Sequence, residues 1–438
     1  MKKTIIAAVV MLLTACSYAQ NIETAKKAFD KGDLSTAKTQ IDAFVTSNAT
    51  NPMGYFLKAK VYEAITANAT LSPSVPNSGD VAFESFKKGM ELSNGNKEAT
   101  LEMLKDKNFY NPLLTLYNDY YNRGIKAFNA GSVSHNPADF SNSVDAFIMA
   151  NNVGKWAVAN KIPTSLSALD TALILDIGQA AINAQRSDVA ENYFKQLADA
   201  NVSGTKDGNT GFNLPYQWLA QYYRDKKDDA NFNNYVNKGR QFFPNDQYFD
   251  GVMLDYYGGK KDYSNLFKKY DEMNSRYPDS ARYNINYSAE VIGYVYGSDE
   301  GVKIENKDLL LNNLHTRLER TLKREPDNVK ANWIMGQYYY NMGIDTRQKA
   351  IAIKAPKLPA DIKTKADLNT TAKGYFNSAV PYVEKAIATL EVNNKKTDKS
   401  TYKTIVNLTS QIYEQLQQPD KVKYYQAKYD NADSKFVN

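Results

Sequence analysis

The chain of 438 residues contains one cysteine, two histidines and three tryptophans. With Cys16 alone, no intrachain disulfide can form, so stability has to come from packing. His135 and His315 lie far apart in the sequence, and no further cysteine is there to join them. That argues against a His/Cys metal site. Neither histidine has a nucleophile elbow near it, which argues against Ser-His-Asp catalysis. Beyond the N-terminus no stretch is long and apolar enough to span a bilayer. The most apolar one, Ala168–Ile182, is interrupted by Asp170 and Asp176. Charge of one sign is scarce too, with a formal net charge of +6. The pairs Lys87-Lys88, Lys226-Lys227, Lys260-Lys261, Lys268-Lys269 and Lys395-Lys396 are scattered among acids and read as solvated faces. A nucleic-acid binder would carry a concentrated basic stripe. Gly258-Gly259-Lys260 lacks the earlier Gly and the following Ser/Thr of a phosphate loop, and reads as a turn. No carboxylate pair is singled out for glycoside cleavage. The sequence therefore predicts no enzyme, no cofactor, no metal and no nucleic-acid partner.

What the chain does have is a recurring spacing. Ala25, Ala37, Ile41 and Phe44 are separated by twelve, four and three residues. The same steps run through Gly178, Ala190, Phe194, Leu197, through Ala220, Phe232, Val236, Gly239, and through Leu254, Leu266, Tyr270, Met273. Steps of three and four keep side chains on one helical face. Breaks such as Lys31-Gly32-Asp33 and Arg186-Ser187-Asp188 split each unit into two helices. Small residues belong where the two helices cross closely.

These units resemble the tetratricopeptide repeat (TPR), whose signature W-x2-L-G-x2-Y, A-x3-F, P recurs about every 34 residues. The matching copies are Trp333…Gly336-x2-Tyr339, Trp218…Ala220-x2-Tyr223, Ala190-x3-Phe194 and Ala82-x3-Phe86. Nine units follow. First helices centre on Ala25, Ala59, Gly124, Gly178, Ala220, Leu254, Ser288, Gly336 and Thr409. Second helices centre on Ala37, Ala82, Ser143, Ala190, Phe232, Leu266, Leu314, Ala379 and Lys421, the last a degenerate position. The resemblance implies an all-α, right-handed α-solenoid over residues 20–430, with 431–438 as a tail. Length alone would suggest roughly three domains, but a solenoid grows in one dimension. Tyrosine is abundant, with 32 copies, as suits rings packed between helices with hydroxyls at the wet edge.

Insertions are expected near 68–80, 130–137, 201–213 and 344–369. The first three read as loops, rich in Pro, Ser, Gly and Asn. The fourth, with Lys, Ala, Pro356 and Pro359, reads as an extra helix, a flap over the groove, or a solvated excursion. Pro381 falls inside a second helix and should kink or restart it.

Residues 1–19 read as an export signal. Lys2 and Lys3 precede the apolar stretch from Thr4 to Leu13, too short to span a membrane. Two endings compete. Ser17-Tyr18-Ala19 is a small-x-small cleavage site, whereas Leu13-Thr14-Ala15-Cys16 resembles a bacterial lipobox that would lipidate Cys16. Helix begins near Ile22, with no polar tether, which favours cleavage after Ala19. The expected location is periplasmic or secreted, or alternatively an outer-membrane lipoprotein.

In TPR proteins the first helices line a concave face. By position, that resemblance places Lys60, Gln179, Asn183, Gln217, Gln221, Arg224, Trp333, Gln337, Tyr340 and Asn341 on it. Amides can bond both groups of a peptide backbone, and neighbouring aromatics add apolar contact. Trp333, Gln337, Tyr340 and Asn341 share one helical face and are the foremost candidates, although Trp333 also suits the buried signature position. The lysine, arginine and asparagine set of a C-terminal carboxylate clamp is not found. The function implied is a non-enzymatic scaffold for a protein or peptide partner in the bacterial envelope. The alternative is a SusD-like carbohydrate-binding lipoprotein.

Overall fold

The structure, a computed structural model, describes residues 22–95, 105, 109–204, 211–297, 304–355, 357–393 and 395–436. The export signal, Cys16 and part of the 201–213 insertion lie outside them. Among the described residues all regular structure is helical. Two compact units are formed, Met1–Asp246 and Gln247–Asn438.

The first unit holds five hairpins: α1 (Ile22–Asp30) with α2 (Leu34–Ser47), α3 (Pro52–Ala67) with α4 (Ser78–Ser93), α5 (Asn111–Ser134) with α6 (Pro137–Ala159), α7 (Thr171–Asn183) with α8 (Ser187–Asp199), and α9 (Asn213–Asp225) with α10 (Asp229–Phe242). The second holds four: α11 (Gln247–Gly259) with α12 (Tyr263–Arg276), α13 (Ala281–Tyr296) with α14 (Lys307–Arg324), α15 (Val329–Ala352) with α16 (Pro359–Asn393), and α17 (Lys399–Gln415) with α18 (Pro419–Asp430). The expected nine hairpins are present, and each unit is an array of TPR-like pairs.

The crossings show why small residues are needed. A Cβ added to Gly178 would lie 2.1 Å from Phe194, one added to Gly124 2.4 Å from Phe147, and one added to Gly336 2.4 Å from Val383. A large residue of the second helix therefore sits directly on the backbone of the first. Ser143 closes its own crossing by donating to the Gly124 carbonyl oxygen at 2.8 Å.

The tight turns inside hairpins use one device. Gly32, Gln185, Lys227, Lys261 and Gln417 all have positive φ. In three of these turns an aspartate follows and caps the next helix: Asp33 accepts from the Thr36 amide, Asp228 from Asn231 and Asp262 from Asn265. Gln417 also corrects the register of the last unit. Counting from it as from the other turns brings Val422, not Lys421, to the inward position; Val422 is half-buried and Lys421 exposed. The expectation of Lys421 was one residue early.

Several other expectations are revised. Residues 130–137 are not a loop, because α5 runs to Ser134 and α6 starts at Pro137. Gly131 lies inside α5, and its lack of a side chain leaves room for the Phe140 ring, which an added Cβ would meet at 3.0 Å. Within 344–369 the described residues lengthen α15 and α16 and add no separate helix. Pro381 lies within the unbroken α16, whose residues Ala379, Val383 and Ala386 are fully buried around it; packing outweighs the local break. The 68–80 segment is a loop with a 3-10 turn at Ser72–Ser74, and α4 resumes at Ser78. In place of a tail, α19 (Ala432–Lys435) forms, and Phe436 packs 4.6 Å from Tyr402.

Two groups in the polar layer were misjudged. Lys269 is not solvated but 4% exposed; its ammonium lies 2.7 Å from Asp250, itself 2% exposed, which also pairs with Arg276 at 2.9 Å. Many tyrosine hydroxyls do more than wet an edge, because they donate to carboxylates of other helices. Tyr222 and Tyr223 bind Glu191, Tyr413 and Tyr425 bind Glu384, and Tyr120 binds Asp80.

Candidate ligand-contact faces

Asn328 starts α15 by accepting from the Ala331 amide at 3.0 Å, and buried Asn332 ties the entry to the Pro326 carbonyl oxygen at 2.8 Å. Gly336 and Gly343 then seat α15 on Val383 and Phe376 of α16. That rotation leaves Trp333, Gln337, Tyr340 and Asn341 half-buried. Trp333, Tyr340 and Ile344 pack against the core shared by α16 and α17. Tyr340 lies 5.9 Å from Phe376; burial and then the Glu414 carboxylate on α17 raise its hydroxyl pKa. The Trp333 indole N–H is shielded from solvent and has no acceptor among the described residues. So the signature tryptophan is partly core, and Gln337, Tyr340 and Asn341 are its polar companions. Towards α13, Lys330 donates to Asn286 at 3.4 Å and faces Glu290, whose pKa burial raises. The exposed residues Thr404, Asn407, Gln411 and Glu414 continue this polar character along α17.

The α9 candidates belong to the other unit and are engaged internally. The Gln217 amide donates to Asp246 at 2.6 Å, Gln221 donates to Asp225 at 2.8 Å, and Arg224 lies 3.9 Å from Asp225. Asn183 bonds the Gln179 carbonyl oxygen in its own helix. His315 bonds the Tyr339 hydroxyl at 2.8 Å and neighbours Glu319, a packing role, while His135 ends α5 at φ 55°.

Sequence reasoning missed a carboxylate group on the first helices α3, α5 and α7. Burial, then the nearby Asp119, pushes the Glu63 carboxyl up to about 7. Burial also raises Asp119, one of whose oxygens is shielded without a hydrogen-bond partner, and Asp176, which accepts from Tyr121 at 3.2 Å. No motif marks these residues; the stacking of α3 and α5 brings Glu63 and Asp119 together, while Asp176 sits beside Asp170 and Tyr121. An acid whose folded pKa exceeds its unfolded value is more stable protonated. The Glu63 contribution is full below about pH 4.5 and is lost as pH rises through about 7. Raising pH from 5 to 8 should thus lower the unfolding midpoint of the first unit, and Glu63→Gln should remove about 1–2 kcal/mol of that dependence, allowing for partial exposure. Equal pH slopes for both proteins in thermal melts would refute the assignment.

Two of the cavities in this unit border aromatic side chains. One of about 690 Å³ is walled by α4, Tyr110, Trp156 and Asn160, with Lys87 and Glu91 at its edge. Another of about 490 Å³ lies among Met53, Phe56, Leu57 and Phe109, with Lys26 and Lys60 beside it. Among the described residues no cluster of His, Cys, Asp or Glu could hold a metal ion, and no helix is long and apolar enough to cross a membrane.

No protein-family model matches the chain, and no curated protein does. Solved structures to which it is similar include a TPR repeats protein from Bacteroides fragilis, at 14% identity over 68% of this chain and 98% of that one, with a TM-score of 0.28. The TPR domain of P58(IPK) is 14% identical over 93% and 99%, with a TM-score of 0.24. A human IFIT1 dimer with m7Gppp-AAAA is 12% identical over 86% and 90%, with a TM-score of 0.23. The fold assignment stands on the nine hairpins themselves.

Proposed function

We propose that this chain is a non-enzymatic TPR-like scaffold that holds a protein or peptide partner in the bacterial cell envelope. The observation that carries the reading is the α15 face, where Gln337 and Asn341 alternate with the rings of Trp333 and Tyr340 between the polar stripes of α13 and α17. Such a surface can pair with an extended backbone through amides and cover apolar side chains with rings. Affinity comes from many small contacts, with no chemical step. Export rests on residues 1–19; anchoring through Cys16 is the alternative to release, and membrane fractionation of Cys16→Ala separates the two.

Crosslinking and affinity purification from the native envelope tests the scaffold reading. The double variant Trp333→Ala, Tyr340→Ala should weaken capture by about 2 kcal/mol, roughly thirtyfold in Kd. Because both rings also support the core, Gln337→Ala with Asn341→Ala is the companion that spares it. The same partners recovered equally with both variants would remove the α15 face from the function.

One observation favours a second reading. The cavity beside Trp156 and Tyr110 joins aromatic walls to amide and charged groups, as a carbohydrate ligand requires. Sugar pulldown lost on Trp156→Ala would support it.

A further inference from the structure

The lengthened hairpin of α15 and α16 extends past its neighbours. Tyr296, the last residue of α13, and Lys307, the first of α14, both meet Asp345 on α15, at 3.2 and 2.7 Å. On the other side Arg347 bonds the side chain and carbonyl oxygen of Gln415, where α17 ends. Both neighbours therefore stop level with residues 345–347. α15 continues to Ala352, and α16 is exposed from Pro359 to Thr371 apart from Lys365 and Leu368, which are half-buried. At about 1.5 Å per residue, those thirteen residues of α16 amount to about 20 Å of projecting helix.

The tip of this projection is apolar. Nine large apolar side chains stand exposed among the described residues, and three of them gather here: Ile351 at 56%, Leu358 at 64% and Ile362 at 52%. Leu358 and Ile362 are one helical turn apart, joined by the Ile362 amide to the Leu358 carbonyl oxygen at 3.1 Å. Lys365 folds back onto the Ile353 carbonyl oxygen, which closes the tip. Around the apex stand Lys349, Lys354, Lys357 and Lys363, all exposed. Five lysines against two aspartates leave residues 348–371 with a net charge of +3.

We propose that this tip docks the protein on an anionic phospholipid surface. Its apolar apex enters the headgroup boundary and its lysines meet the lipid phosphates. The shape suits a bilayer, because a projecting apolar apex ringed by lysines can insert into a soft, anionic surface. The charge is complementary to anionic lipid and disfavours a second copy, since two such tips would repel. Residues at an interface that combine buried apolar area with basic side chains bind anionic membranes more tightly than neutral ones.

Vesicle co-sedimentation of the exported chain tests this, with Cys16→Ser in every sample so that no acyl group contributes. Partition to phosphatidylcholine vesicles carrying roughly 30% phosphatidylglycerol should exceed that to pure phosphatidylcholine by about tenfold, and should fall with salt. The triple variant Ile351→Ser, Leu358→Ser, Ile362→Ser should lose about tenfold of that partition while keeping its far-UV circular dichroism, because all three side chains are already in solvent. A Lys354→Gln, Lys357→Gln, Lys363→Gln variant should lose the preference for anionic vesicles. Equal partition to both vesicle types, or a triple variant that binds as well as the parent, would overturn the proposal. So would weak partition to both alongside tip-dependent capture of a soluble acidic protein, which would assign the surface to that partner.

Discussion

Replacing Asp250 with alanine is expected to destabilise the second unit by about 3–5 kcal/mol, the usual penalty for stranding one member of a buried ion pair. Asp250 and Lys269 are 2% and 4% exposed and 2.7 Å apart, and Arg276 completes the site at 2.9 Å. Without the carboxylate, the Lys269 ammonium keeps, among the described residues, Glu272 at 3.0 Å inside a packed crossing of α11 and α12. The double replacement Asp250→Leu, Lys269→Met should recover much of the loss, because well-packed apolar groups can stand in for a buried pair. Denaturant unfolding with hydrogen exchange over residues 247–296 provides the measurement. Exchange rates that are unchanged in the alanine variant would show that water reaches the pair.

The second large effect is expected at Gly178. Leucine there should cost at least about 1–3 kcal/mol by overpacking, because even its Cβ would stand 2.1 Å from the fully buried ring of Phe194. Alanine should also destabilise, although glycine to alanine in an open helical position gains about 0.5–1 kcal/mol. Gly293 on α13 supplies the contrast: nothing lies within 4 Å of an added Cβ, so Gly293→Ala should stabilise by that amount. Phe194→Leu combined with Gly178→Ala should cost less than the sum of the two changes, since the crowding is shared. Additive effects in thermal melts, or equal shifts at Gly178 and Gly293, would count against the crossing.

How much of this was legible follows from the range of each interaction. The hairpin positions are periodic, so steps of three, four and twelve residues expose them. The errors occur where distant packing overrules local preference. Gly131 and Ser134 look like loop formers, yet both lie in α5, where Gly131 makes room for the Phe140 ring across the hairpin. Pro381 looks like a break, yet the buried residues on either side carry α16 through it. Lys269 looks like half of a solvated pair, yet Lys268 takes the solvent and Lys269 finds a carboxylate nineteen positions earlier. The α15 candidates were readable as one face because helical geometry is local. Their degree of burial was not, since α16 and α17 decide it. The carboxylates of α3, α5 and α7 carried no signal at all, being single residues in separate repeats.

Chain order and spacing were enough to specify nine paired helices and most of the small residues at their crossings, because each depends on contacts within one repeat and its own helical period. Which charges sink, where a tryptophan donor is sealed, and how far one hairpin reaches beyond its neighbours were settled only by assembly. Those properties depend on the surfaces that neighbouring helices present, and no single repeat contains that information.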